Sequence, residues 1–152
     1  MRNPSNRRIF LAATTALAAA VVIRPTTLRA QDDVLTALVR TYANGAPVRE
    51  GRVKLDIAPL VDNGNSVPIE VVVQSPMTTR DYVVGIVVFN EKNPQREVAE
   101  FVLTPMSGRA RVATRIRLAM TQKIVAVARM NDGSCWTHTV EVLVTLAACI
   151  ED

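Results

Sequence analysis

The sequence predicts an all-β fold, an antiparallel β-sandwich of about seven strands preceded by one N-terminal helix. Three observations predict it. From Gly51 onward the apolar residues recur with a period of two, the signature of strands with one buried face. Turn-forming stretches such as "DNGN", "SPMT", "EKNPQ", "TPMSG" and "NDG" separate these runs at the spacing of a sandwich. A single helical pattern precedes them all, so the βαβ alternation that builds a parallel sheet is missing.

The elements follow in order. "NPSNRRIFLAATTALAAAVVI" has a basic start, with Arg2, Arg7 and Arg8, and then a moderately apolar stretch from Ile9 to Ile23. That stretch is too short and too rich in Ala and Thr for a stable membrane span. It reads as an export signal ending at Ala30, and Arg7-Arg8 followed by Ile9, Phe10 and Leu11 has the twin-arginine form. Residues 1–30 are therefore expected to be a signal peptide, and residues 31–146 the helix plus the β-sandwich domain. "DDVLTALVRTYANG" predicts the helix. Val34, Leu35, Leu38, Val39 and Tyr42 fall on one face, Asp32 or Asp33 caps the start, and Asn44-Gly45 closes the end. "APVREG" reads as a linker.

The strands are then "RVKLDIA", "SVPIEVVVQS", "YVVGIVVFN", "VAEFVLT", "RARVATRIRLA", "KIVAVARM" and "CWTHTVEVLVTL". In the first two, Val53, Leu55 and Ile57, then Val67, Ile69, Val71 and Val73, line the buried face. "YVVGIVVFN" is apolar on both faces, as a central strand is. This run and the Arg-rich strand offer more patterned surface than one helix covers, so a partner domain is expected.

Composition excludes several function classes. With residues 1–30 set aside, 13 basic residues stand against 14 acidic ones, a net charge of −1, so the basic character of the whole chain belongs to its leader. Neither that balance nor the few aromatic residues fit nucleic-acid binding. No second apolar span follows, so a protein soluble beyond the membrane is expected. His138 is the single histidine, and two cysteines with one histidine make no thiolate-rich zinc site. No nucleophile elbow, phosphate-binding glycine loop or paired-carboxylate metal motif is present. The chain is therefore not expected to be an enzyme by itself, and no cofactor or metal is expected. His138 shares a strand face with Trp136, Val140, Val142, Val144 and Leu146 and reads as a satisfied residue of the core or its rim. Arg109, Arg111, Arg115 and Arg117 alternate with Val112, Thr114, Ile116 and Leu118. That is the pattern of a solvated outer sheet face, or of a face that meets an acidic partner or an anion. Gly64 in "DNGN" reads as a turn residue.

The two cysteines differ. Cys135 and Cys149 lie at opposite ends of the last strand segment, over ~40 Å apart if all of it is extended. A disulfide needs Cα atoms within about 7 Å, so an intramolecular bond is not expected. Cys135 stands next to Trp136 and reads as a packed, inert thiol. Cys149 lies beyond Leu146, where the core pattern stops, and reads as an exposed thiol on an arm, residues 147–152.

"DNGNSVPIEVVVQSPMTTRDYV", "VFNEKNP", "FVLTPMSGRARVATRIRLAMTQKIVAVARMNDGS" and "EVLVTLAAC" together resemble the SoxY family. These are the sulfur-carrier subunits of the periplasmic thiosulfate-oxidising (Sox) multienzyme system. The resemblance implies an immunoglobulin-like sandwich in a heterodimer with a second subunit, SoxZ. It implies a periplasmic protein that docks transiently to haem-containing, hydrolase and sulfane-oxidising Sox enzymes. It also implies covalent attachment of thiosulfate-derived sulfur to the arm cysteine, which by its position after "VTL" is Cys149.

The arm departs from the family, which places two glycines on each side of the cysteine. Here Ala147 and Ala148 precede Cys149, and Ile150, Glu151 and Asp152 follow. Alanine keeps the arm slim but restricts its backbone. Ile150 is bulky and β-branched. A charge about 6 Å from the sulfur in water is worth roughly 0.7 kcal/mol, about half a pKa unit, so the acidic end is expected to disfavour the thiolate. It also disfavours a thiol-peroxidase reading, which needs an electropositive pocket. The alternative to a carrier is a diverged paralogue acting as a non-carrying interaction module.

Overall fold

The structure is a computed structural model that describes residues 34–147. The expectations for the leader, for Asp32 and Asp33, and for Ala148, Cys149, Ile150, Glu151 and Asp152 lie outside the described residues. In chain order the elements are α1 (Val34–Ala43), β1 (Val48–Glu50), β2 (Val53–Asp56), β3 (Leu60–Val61), β4 (Val67–Val73), β5 (Val83–Asn90), β6 (Glu97–Val102), β7 (Arg111–Ile116), β8 (Gln122–Met130) and β9 (Cys135–Val144). A short 3-10 turn, Pro105–Ser107, joins β6 to β7.

The strands form two sheets. The larger runs β1-β9-β8-β5-β6, with β3 also paired to β9, and the smaller runs β2-β4-β7. Seven strands match the runs read from the sequence. β1 and β3 do not, and both pair parallel with β9, Val48 opposite Cys135 and Leu60 opposite Leu143. The sandwich is therefore not purely antiparallel, and "APVREG" is not merely a linker. The two short strands cover the edge of β9 that β8 leaves open, where unpaired backbone groups would otherwise stand.

The inner faces make the core as the alternation requires. Val53, Leu55, Ile69 and Val71 of the small sheet, with Ile57 just past β2, meet Ile86, Val88, Ile124, Ala126 and Val142 of the large one. A second cluster lies on the outer side of the large sheet. There α1 sets Leu35 and Val39 against Val87, Phe89, Val125 and Val127. The helix buries Leu35, Val39 and Ala43, a stripe at four-residue spacing, while Val34 is 49% exposed. Val34 is thus not part of the apolar face, and Ala43 replaces it, because the stripe that fits the flat outer sheet is narrower than the full set of apolar residues. Asn44 (φ 49°) and Gly45 (φ 82°) end the helix as expected, with the Asn44 N–H donating to the Thr41 carbonyl.

β5 is buried from Val83 to Asn90 apart from a half-buried Val84, with β8 and β6 on its flanks and α1 above it. The single helix therefore does cover the outer face of this strand, contrary to the expectation drawn from its double-sided apolarity. Cys135 and Trp136 point to opposite faces of β9. Trp136 packs on the sandwich core, and Cys135 lies on the helix side beside Val48 and Arg129.

Candidate functional site

A collar of backbone bonds holds the end of β9. The Leu143 N–H donates to the Pro59 carbonyl (2.8 Å), Thr145 N–H to Val61 (3.0 Å) and Leu146 N–H to Asp62 (3.2 Å). On the other side, the Val144 N–H donates to Thr121 Oγ1 (3.0 Å). Gly64 closes the collar. Its N–H donates to the Leu146 carbonyl and its carbonyl accepts from the Leu118 N–H, both at 2.8 Å. Gly64 is buried and acts as a backbone bridge between the end of β9 and the end of β7, a role a turn reading does not suggest.

The last core residue is Val144, not Leu146. Leu146 is 61% exposed, past the end of β9 where the chain bends. Leu60 and Leu143, paired across β3 and β9, are also exposed, as is Met120. The end of β9 thus lies among exposed apolar side chains, and Ala147, the last described residue, is exposed.

His138 sits on the core face of β9, half-buried, and its Nδ1 accepts a hydrogen bond from the Leu55 backbone N–H at 3.1 Å. It ties the two sheets together across the sandwich. It is a satisfied rim residue, as the sequence suggests, and the bond fixes the tautomer with its proton on Nε2.

Cys135 is fully buried. Burial pushes its thiol above the ordinary value, Arg129 draws it down and Asp132 adds to the rise. A buried thiol with a raised pKa is a poor nucleophile. β9 extends without a break from Cys135 to Val144, about 30 Å at strand rise, which keeps Cys135 at the far end from the arm root. Among the described residues, no group of three or more His, Cys, Asp or Glu is placed to hold a metal ion. No helix there is long and apolar enough to cross a membrane.

β7 is an outer strand of the small sheet. Arg111 and Arg115 are exposed on it, Arg109 lies just before its start and the exposed Arg117 just past its end, while Ile116 and Leu118 are buried. Arg111 is paired with Glu70 on β4, and that bond pushes its pKa up. Arg115 Nη1 donates to Ser66 Oγ at 3.3 Å. The solvated-face reading of the arginines holds, with one part of the row already neutralised.

These features define a class: an immunoglobulin-like sandwich with one helix on its larger sheet and the end of its last strand anchored by backbone bonds. The family of the sulfur oxidation protein SoxY matches residues 39–149, and the chain belongs to that family. Among solved structures, the sulfur carrier protein SoxY from Chlorobium limicola f thiosulfatophilum is similar, with 25% sequence identity and a TM-score of 0.62. The match covers 74% of this chain and 96% of that one. The superoxide reductase (neelaredoxin) from Ignicoccus hospitalis matches at 16% identity and a TM-score of 0.55, covering 62% of this chain and 80% of that one. A putative superoxide reductase from Thermotoga maritima matches at 20% and 0.53, covering 68% and 89%. These last two likenesses are of fold alone. No curated protein matches the chain.

Proposed function

We propose that this protein is a periplasmic sulfur carrier of the Sox system, with Cys149 as the covalent attachment point. The observation that carries the reading is the family match running to residue 149, on a chain whose β9 ends in a collared root just before that cysteine. The sandwich is the handle and the arm is the working end.

In this reading the Cys149 thiol loses its proton and its sulfur bonds to the outer sulfur of thiosulfate. The electron pair released passes to a haem-containing partner. Water then cleaves the bond between the sulfane sulfur and the sulfonate on a hydrolase partner, releasing sulfate and protons and leaving a persulfide on Cys149. A third partner oxidises that remaining sulfur. Residues 1–30 act as the twin-arginine export signal, and a SoxZ-like sandwich forms the heterodimer. The exposed Val102 and Met106, beyond the reach of α1, offer apolar surface for such a partner.

Intact-mass analysis of protein from thiosulfate-grown cells tests carriage. Sulfur-sized adducts are expected, removable by thiol reductant and absent from Cys149→Ser. A protein that carries none, while still co-purifying with a partner sandwich, would be the non-carrying interaction module instead.

A further inference from the structure

We infer that the acidic end of the arm, Glu151 and Asp152, docks on Arg115 and Arg117 at the β7 edge. This latches Cys149 against the rim of the small sheet. The inference stands whether or not Cys149 carries sulfur.

The collar sets the distance. Leu118 binds Gly64 and Gly64 binds Leu146 through successive backbone hydrogen bonds, so the end of β7 lies about two strand spacings, ~10 Å, from the arm root. Arg117 immediately precedes Leu118, and Arg115 binds Ser66, two residues beyond Gly64. From Leu146, an extended chain spans about 17 Å to Glu151 and about 20 Å to Asp152. Both carboxylates therefore reach these guanidinium groups with slack to spare.

The charge lies at the matching end. Arg111 is neutralised by Glu70, whereas Arg115 meets a hydroxyl and Arg117 has no side-chain partner among the described residues. Of the exposed arginines of the row without an acidic partner among the described residues, Arg115 and Arg117 stand at its arm-side end, whereas Arg109 stands at the opposite end of the strand, away from the arm root. Exposed pairs of this kind are individually weak and screened by salt. A short tether raises the local concentration of the carboxylates enough to favour contact while leaving it easy to break. Docking also offsets the tail charge, so Cys149 meets a more nearly neutral setting than its neighbours in sequence imply.

A nitroxide on Cys149 tests the latch in isotope-labelled protein. The label is placed by selective modification of the native chain, and separately in a Cys135→Ala background. At low ionic strength the amides of Ser66, Arg115 and Arg117 are expected to lose most of their NMR intensity. They should regain it in about 1 M salt, where the screening length is about 3 Å. Arg115→Gln/Arg117→Gln and Glu151→Gln/Asp152→Asn should each restore the intensity. The charge swap Arg115→Glu/Arg117→Glu with Glu151→Lys/Asp152→Lys should lose it again. Broadening that ignores salt and all of these changes overturns the latch. So does broadening centred on Leu60 and Leu143, which would instead mark an apolar seat for Ile150.

Discussion

Cys135 shows that a neighbour in sequence can reveal burial without revealing which face of the strand the side chain takes. Next to Trp136 it reads as part of the same packing, yet the pleat sends the two to opposite faces, and the thiol is sealed beneath the helix side. Burial raises its pKa above the ordinary 9.0. Between the unfolded and folded values the native state holds more protons than the unfolded chain, so stability must fall as pH rises through that window. Urea titrations from neutral pH upward should show stability constant to about pH 9 and then declining. Cys135→Ala should remove the first part of the decline and leave the part due to Tyr42, whose phenol burial pushes above 10.0. An unchanged alkaline profile in Cys135→Ala would refute the assignment. The buried state of Cys135 and the satisfied state of His138 were legible, since each followed from its place on a strand. The partner of His138 was not. The Leu55 N–H comes from a strand 83 residues away, and nothing local in either segment announces that approach.

At the scale of elements, the strands with a clear period of two were legible, and β1 and β3 were not. A three-residue and a two-residue strand carry no period, and their pairing is dictated by the open edge of β9 rather than by their own side chains. The seat of α1 was equally hidden, and it depends on Gly85. A Cβ built there would lie 2.8 Å from the Tyr42 hydroxyl oxygen, so β5 has a glycine where the helix lowers Tyr42 onto the sheet. That oxygen is buried without a hydrogen-bond partner, while Arg129 lies over the ring at 5.2 Å. Gly85→Ala should cost about 1–3 kcal/mol by overpacking. Tyr42→Phe alone should be neutral or slightly stabilising, because it removes an unsatisfied buried group without opening a cavity. In the double variant the clash is gone, and most of the Gly85→Ala cost should vanish. Strictly additive losses in denaturant unfolding would mean that Gly85 serves some other purpose.

For the whole molecule, the backbone bonds at the end of β9 mark where the sandwich stops to within a few residues. The family match and the sandwich were legible because they rest on long patterned runs. The collar was not, since it is built from backbone groups of Pro59, Val61, Asp62 and Gly64, whose side chains give no sign of it. Its geometry says where the handle ends. Leu146 makes the last collar bonds, donating to Asp62 and accepting from Gly64, whereas Ala147 is exposed. A chain ending at Ala147 loses at most the tail's exposed ion pairs, so its unfolding free energy should drop by less than about 1 kcal/mol. It should fold and bind a partner subunit as before, yet take up no sulfur adduct. A chain ending at Val144 also loses the bonds of Thr145 and Leu146 and leaves the buried Gly64 N–H without its acceptor. At about 1–3 kcal/mol for an orphaned buried group plus the lost bonds, it should unfold at clearly lower denaturant concentration. Calorimetry and urea unfolding of the two truncations against the full chain measure the difference. If the Ala147 truncation proves as unstable as the Val144 one, the arm is part of the fold, and a sandwich that serves as a handle for a separable arm is the wrong description of this molecule.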